Sequence, residues 1–328
     1  MLRLFGPDCP TQPVDPAKLS TLPKSVVWLD LLEPTAEEEA LAEKLGGVGI
    51  PTREELKEIE PSSRLYQTKN ATFMTLSVLY GVQTQQPAND PVGFILTEKC
   101  LISVRYIDPK PFILFAEHVY AEVDYACDPR SLFVRLLDTI IDRLADEFEV
   151  AVNEIEAISR HIFDHHPKQG EERRRQPELR LEALLIRIGK AQQLLAQLRE
   201  SSVSATRLLT FLTSADAMTD DEPNRRHISS LIADAEALND HSNFLGDNLV
   251  FLLDANLGLI TLEQNFVMKI FSIFAVVFMP PTLIAGVYGM NFERMPELKW
   301  LLGYPWALGL ILVSAVLPYW FARRRGWL

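Results

Sequence analysis

The chain has 328 residues, of which 48% are hydrophobic, and its 44 acidic and 32 basic side chains leave a formal charge of −12. A negative surplus of this size argues against a nucleic-acid partner and agrees with cation partners, although solubility alone would also account for it. Three cysteines, Cys9, Cys100 and Cys127, form no CxxC pair, so a reduced compartment without a disulfide framework is expected.

Met1–Pro7 contains no long apolar segment, so no signal peptide is expected and the large N-terminal part is placed in the cytosol. Residues 1–128 mix strand and helix signals. Val26–Leu32 reads as a buried strand. Thr35 caps an acidic helix over Ala36–Leu45 that Gly46-Gly47 ends, and Pro51-Thr52 opens a short helix around Glu54–Ile59. Ala71–Tyr80 alternates like a strand. Phe94–Thr97 and Cys100–Arg105 flank Glu98-Lys99 as a hairpin. Pro109 and Pro111 break the chain before a helix over Phe112–Val123.

From Ser131 the period changes. Leu132, Leu136, Ile140, Leu144, Phe148 and Val152 recur at helical spacing in a segment that runs to Phe163. Pro167–Gly170 turns the chain, and Glu178–Leu212 forms a second long helix, which makes residues 129–222 a helical hairpin with a loop around Ser214–Pro223. His161, Asp164, His165 and His166 lie at the hairpin tip, where a solvated helix end explains them better than a metal site. No strong break then occurs before Pro280-Pro281. A stalk helix over 223–288 is predicted, roughly 95 Å long at 1.5 Å per residue, and it requires neighbours to be stable.

Two stretches lack charge entirely, Ile270–Tyr288 over 19 positions and Leu301–Ala322 over 22, and each can cross a hydrocarbon core of ~30 Å. Lys269 precedes the first span and Arg323-Arg324-Arg325 follow the second. Both termini therefore read as cytoplasmic, with the 289–300 loop outside and 323–328 as a basic tail. From residue 269 onward six basic residues oppose two acidic ones, a balance of +4, which leaves −16 for residues 1–268.

One stripe of the stalk and first span is small or polar. Alternating steps of four and three from Asp254 reach Gly258, Thr261, Asn265, Met268, Ser272, Ala275, Met279, Thr282 and Gly286. A period of 3.5 belongs to helices wrapped around a common axis, and polar side chains inside a membrane face a bundle interior or a water-filled path. Close packing through small residues accounts for Gly258, Ala275 and Gly286 but poorly for Asp254 and Asn265. The stripe leads to Gly289-Met290-Asn291 at the mouth of the span, where a bend permitted by Gly289 would present neutral oxygen ligands to a hydrated cation. No nucleotide-binding glycine loop, H-E-x-x-H or nucleophile elbow is present, so enzyme chemistry has no site.

Tyr288-Gly289-Met290-Asn291-Phe292-Glu293 followed by Met295-Pro296-Glu297-Leu298 resembles the CorA family of magnesium channels, whose signature is Gly-Met-Asn between two C-terminal membrane helices. Phe251–Ala255, Glu263-Gln264-Asn265, Lys269–Ser272, Phe278–Leu283, Glu297–Trp300, Gly303-Tyr304-Pro305 and the tail Gly326-Trp327-Leu328 extend the likeness over about a quarter of the chain. The resemblance implies an α/β cytosolic domain, a long helical hairpin, a stalk helix and two transmembrane helices in a funnel-shaped homopentamer of the inner membrane. It implies transport of Mg²⁺, and of Co²⁺ and Ni²⁺. Gly289, Met290 and Asn291 would form the selectivity filter, Asn291 holding the ion through its water shell. Asn265, Met268, Ser272, Met279 and Thr282 would line the path, with Met268 and neighbouring Phe271 as the constriction and Asp254 as an acidic ring. Glu293 and Glu297 would concentrate cations outside. Regulation by cytosolic Mg²⁺ is implied as well, with Asp234, Asp240, Asp247 and Asp90 as candidate ligands; a solvated acidic face remains the plainer reading of each. No organic cofactor is expected. Two alternatives stay open, a zinc or other transition-metal transporter of the same superfamily, which Met-Pro-Glu-Leu disfavours, and a membrane-anchored sensor without flux.

Overall fold

The computed structural model describes residues 1–6, 25–58, 60, 64–84, 86–121, 128–163, 177–215, 221–290 and 295–325. The chain separates into two compact units, one formed by 1–176 and 182–253, the other by 177–181 and 254–328.

The first unit is built on six strands: β1 (Leu2–Phe5), β2 (Trp28–Leu32), β3 (Leu65–Gln67), β4 (Ala71–Tyr80), β5 (Ala88–Thr97) and β6 (Leu101–Arg105). They lie in the order β1-β2-β6-β5-β4-β3, with β2 parallel to β6 and every other pair antiparallel. Strands β1 and β3 were not anticipated. Both are short edge strands that borrow their register from a longer neighbour.

Helices cover both faces. On one face α1 (Ala36–Gly46) and α2 (Arg53–Leu56) bury Leu29, Leu31, Ile95 and Ile102. Each starts in a capping box, Thr35 with Glu38 and Thr52 with Glu55, and α1 ends at Gly47 with φ +70°. Helix α2 is shorter than expected, and Ile59 lies outside the described residues. On the other face α3 (Lys110–Ala121), α4 (Pro129–Phe163), α5 (Pro177–Ser214) and the first part of α6 (Glu222–Tyr288) share a core with Trp28, Met74, Phe94 and Phe112. Residues 132–141 of α4 and 205–212 of α5 meet in that core, while Arg187 of α5 bonds Glu154 of α4 at 2.8 Å, so the hairpin is antiparallel.

Prolines sit where helices begin more often than the sequence reading allowed. Pro111 lies in the first turn of α3 and Pro223 in the first turn of α6, so α3 begins at Lys110 and α6 at Glu222. The first amides of a helix have no acceptor within it, so a missing N–H there removes no bond. At α6 the Asp221 carboxylate accepts from Asn224 N at 3.3 Å, capping the helix.

The sheet contains a buried polar chain. Trp28 Nε1 donates to Ser103 Oγ (2.9 Å), which donates to Asp30 Oδ1 (2.7 Å). Arg105 completes it through Nη2 to Asp30 Oδ2 (2.8 Å) and Nε to Oδ1 (3.0 Å), with Asp108 on its outer side. Strand β5 carries Pro91 opposite Ser77 of β4. There Ser77 N donates to Ser204 Oγ (3.0 Å) and Ser77 O accepts from Ser201 Oγ (2.8 Å). Both backbone groups of Ser77 thus point away from β5, and the proline costs no ladder bond.

The second unit contains the remainder of α6, a helical turn at Pro296–Lys299, and α7 (Gly303–Arg324). Both helices are long and apolar enough to cross a membrane, and the apolar windows are unburied within the chain. Helix α6 passes through Pro280 and Pro281 without ending. These two residues bring no N–H, so the ladder bonds to the carbonyls of Val276 and Val277 are missing.

Candidate functional site

Every member of the stripe from Asp254 to Gly286 is exposed. The half-buried positions in the same stretch of span are 273, 277, 280, 281, 284 and 288. Ile273 and Val277 share a groove with Pro318, Tyr319, Phe321 and Ala322, which identifies that side as the one facing α7. At 100° per residue the stripe centres roughly opposite that side. Met268 and Met279 are 62% and 68% exposed, and Phe271, just off the stripe, is 66% exposed. Apart from Ser272, which borders the groove, the first span thus presents a strip of small, polar and flexible side chains on the face that its own partner helix leaves uncovered.

The hydroxyls on this strip have a defined polarity. Thr261 Oγ1 donates to Leu257 O (2.9 Å), Ser272 Oγ to Met268 O (2.8 Å) and Thr282 Oγ1 to Phe278 O (2.7 Å). Each spends its single proton on the backbone four residues earlier. What remains outward is a pair of oxygen lone pairs, an acceptor for the hydrogens of water.

At the mouth, Gly289 N still bonds Ala285 O (2.9 Å) and Met290 N reaches Val287 O (3.3 Å). The bend does not use the left-handed backbone that a glycine allows, because among the described residues positive φ occurs at Glu33, Gly47 and Gly81. Room is what Gly289 supplies instead. A Cβ there would stand 3.2 Å from Ala285 O, tighter than ordinary contact. Asn291 and Glu293 lie outside the described residues, as do Asp164, His165 and His166.

The carboxylates named as regulatory candidates do not converge. Asp90 is on β5 opposite Val78, and Asp240 is exposed on α6. Asp247 lines a cavity of about 650 Å³ with Arg64, Arg199 and Arg207, a setting of counter-charge. Asp234 instead lies close enough to Asp142 of α4 to act on its charge, and Asp142 has Asp138 and Asp146 beside it, a cluster that the sequence reading missed. Although Asp142 is exposed, partial desolvation by its neighbours first, then the charges of Asp138, Asp146 and Asp234, push its carboxyl above its ordinary range. Asp138 has His227 at 3.2 Å and Asp146 has Arg143 at 3.1 Å. Among the described residues no three His, Cys, Asp or Glu side chains form a group that could hold a metal ion. The i,i+4 repeat of aspartates at 138, 142 and 146 was visible in the sequence, but their approach to Asp234 depends on the packing of α4 against α6. Asp254 is exposed near the start of the second unit, and two residues on, Asn256 is fully buried, its Nδ2 donating to Leu181 O at 3.2 Å. Cys100 is buried, which pushes its thiol up.

The family model described as CorA-like Mg2+ transporter protein matches residues 23–324. The magnesium transport protein CorA of Pasteurella multocida is 32% identical over 305 residues, covering 93% of this chain and 92% of that protein. The one from Salmonella typhimurium is 30% identical over 302 residues, with 92% of each covered. Among solved structures, the complete CorA magnesium transporter of Methanocaldococcus jannaschii superposes with a TM-score of 0.76 at 17% identity, covering 96% of this chain and 95% of that one. The cytoplasmic domain of ZntB from Vibrio parahaemolyticus superposes at 0.55 with 9% identity, over 78% of this chain and 96% of that one. At these identities the structural likenesses speak for the fold alone, but the match over 23–324 and the relatives above 30% establish that this chain belongs to the CorA-like Mg²⁺ transporter family.

Proposed function

We propose that this chain is one subunit of a Mg²⁺ transporter of the inner membrane, in which α6 lines an ion path and α7 stands outside it. One observation carries this reading. The polar stripe of the first span is exposed and centres roughly opposite the side that faces α7, with Ser272 alone bordering the groove between the two helices. A water path is what such a face requires in a bilayer. Two spans cannot enclose a pore, so copies must close a ring, and a homopentamer is the ring this reading takes. The chain would divide into a cytosolic α/β domain over 1–128, a helical hairpin over 129–222, a stalk and first span over 223–288, an outer loop over 289–300, a second span over 301–322 and a basic tail from 323. Both termini lie in the cytosol, following the basic residues at Lys269 and Arg323–Arg325.

The mechanism follows from ion chemistry. Mg²⁺ sheds its waters reluctantly and demands octahedral oxygen geometry. The lone pairs of Ser272 and Thr282 accept hydrogens from the ion's water shell, as does the Asn265 amide oxygen. A ring of Asn291 amides with the Gly289 carbonyls selects the hydrated ion at the outer mouth, passing Co²⁺ and Ni²⁺ by the same geometry. Met268 with Phe271 forms an apolar constriction that closes by dewetting, and Asp254 collects cations below it. Cytosolic Mg²⁺ at Asp234, Asp240, Asp247 or Asp90 regulates opening.

Flux into proteoliposomes tests the reading. Mg²⁺ entry is expected with the native chain and its loss with Asn291→Ala. Normal conduction by that variant would sink the selectivity ring, transport of Zn²⁺ alone would replace Mg²⁺ as cargo, and absence of any flux would leave a membrane-anchored sensor.

A further inference from the structure

Helices α6 and α7 leave between them a groove of about 510 Å³ whose lining includes the basic residue Lys269. Lys269 forms its mouth on α6. On α7 the Arg325 guanidinium sits over the Phe321 ring at 5.0 Å, and Phe321 lines the groove, which holds Arg325 at the same mouth. Ser272 stands one turn from Lys269, and deeper in the walls are Ile273, Val277 and Pro318, with no acidic residue in the lining. From Lys269 to Val277 the helix rises roughly 12 Å, enough for a headgroup and the upper part of an acyl chain.

We propose that this groove binds one anionic phospholipid, its phosphodiester at Lys269 and Arg325 and one acyl chain along Ile273, Val277 and Pro318. The inference rests on the reading that α6 and α7 cross a membrane. Charge complementarity decides the occupant. Residues 270–288 and 301–322 contain no acidic side chain, so a neighbouring copy packing its spans here would bring nothing to pair with the two cations. A phosphate answers both: Arg offers a planar fork and Lys a point charge. Basic pockets between membrane helices at the cytosolic surface favour anionic headgroups by this same physics.

The test uses the full chain purified in non-ionic detergent and titrated by native mass spectrometry with dioleoyl phosphatidylglycerol or dioleoyl phosphatidylcholine. Tighter binding of phosphatidylglycerol is expected, by about fivefold for each of the two basic residues. Lys269→Gln with Arg325→Gln should abolish the preference, whereas Lys269→Arg with Arg325→Lys should keep it. Equal binding of the two lipids, or a preference that survives the double Gln variant, overturns the proposal. A photo-crosslinker at Val277 that joins two chains instead of a lipid overturns it too and assigns the groove to a second copy. Lipid preference is read without flux, so a chain that binds phosphatidylglycerol yet conducts no Mg²⁺ refutes the transport reading and leaves the lipid site standing.

Discussion

Thr282 Oγ1 donates to the Phe278 carbonyl at 2.7 Å, which fixes the direction in which the hydroxyl can serve an ion path. Its lone pairs face outward and its proton is taken. Thr282→Val keeps the shape and removes only the acceptor. Mg²⁺ flux in proteoliposomes is expected to fall roughly two- to tenfold, the range of one net hydrogen bond. Thr282→Ser should restore it. Unchanged flux in the valine variant would remove Thr282 from the path.

Met268 is the apolar member of the stripe nearest the N-terminal end of the span. If dewetting closes the path there, Met268→Asn wets it. The expected outcome is a higher resting Mg²⁺ flux with the ion already present on both sides. A variant as quiet as the native chain would place the constriction elsewhere.

Asp30 and Arg105 are a buried pair, 2% and 1% exposed. Asp30→Asn leaves a guanidinium without its counter-charge inside the sheet, and the first unit is expected to lose about 3–5 kcal/mol of stability. Replacing both by apolar residues of similar volume should recover most of the loss. Chemical denaturation of the two variants checks this.

Asp142 gives a pH signature. Its carboxyl is raised by partial desolvation and by Asp138, Asp146 and Asp234, so its ionisation opposes folding. The sign is that of a group with a raised folded pKa: its contribution is most favourable below the ordinary aspartate value of 3.8 and is lost as pH rises through the folded value. Asp142→Asn should therefore melt higher than the native chain at neutral pH. The gap should shrink as pH is lowered toward 3.8. Added Mg²⁺ should narrow it at neutral pH, because a divalent cation relieves the same repulsion. A gap independent of pH would show that Asp142 acts through packing.

The elements legible in advance were those with strong local signals. Thr35 and Gly46-Gly47 announced the two ends of α1, and the alternation of Ala71–Tyr80 announced β4. The stripe was legible because a 3.5-residue period survives in sequence whatever packs around it. Edge strands β1 and β3 were not, since four and three residues carry too little pattern and depend on a neighbour for register. The aspartates of α4 were missed for a related reason. Helical spacing places Asp138, Asp142 and Asp146 on one face, but only tertiary packing brings Asp234 to them. Asp30 did carry a signal: a carboxylate inside Trp28-Leu29-Asp30-Leu31-Leu32 must have a partner if the strand is buried.

The hydroxyls of Ser201 and Ser204 occupy both backbone groups of Ser77 on the outer side of β4, beyond the reach of β3. At Ser77 the edge offers no free backbone donor or acceptor, so a second strand finds no ladder partner at that residue. The two serine hydroxyls thus do for Ser77 what a neighbouring strand would otherwise do, and they tie β4 to α5 through the backbone itself.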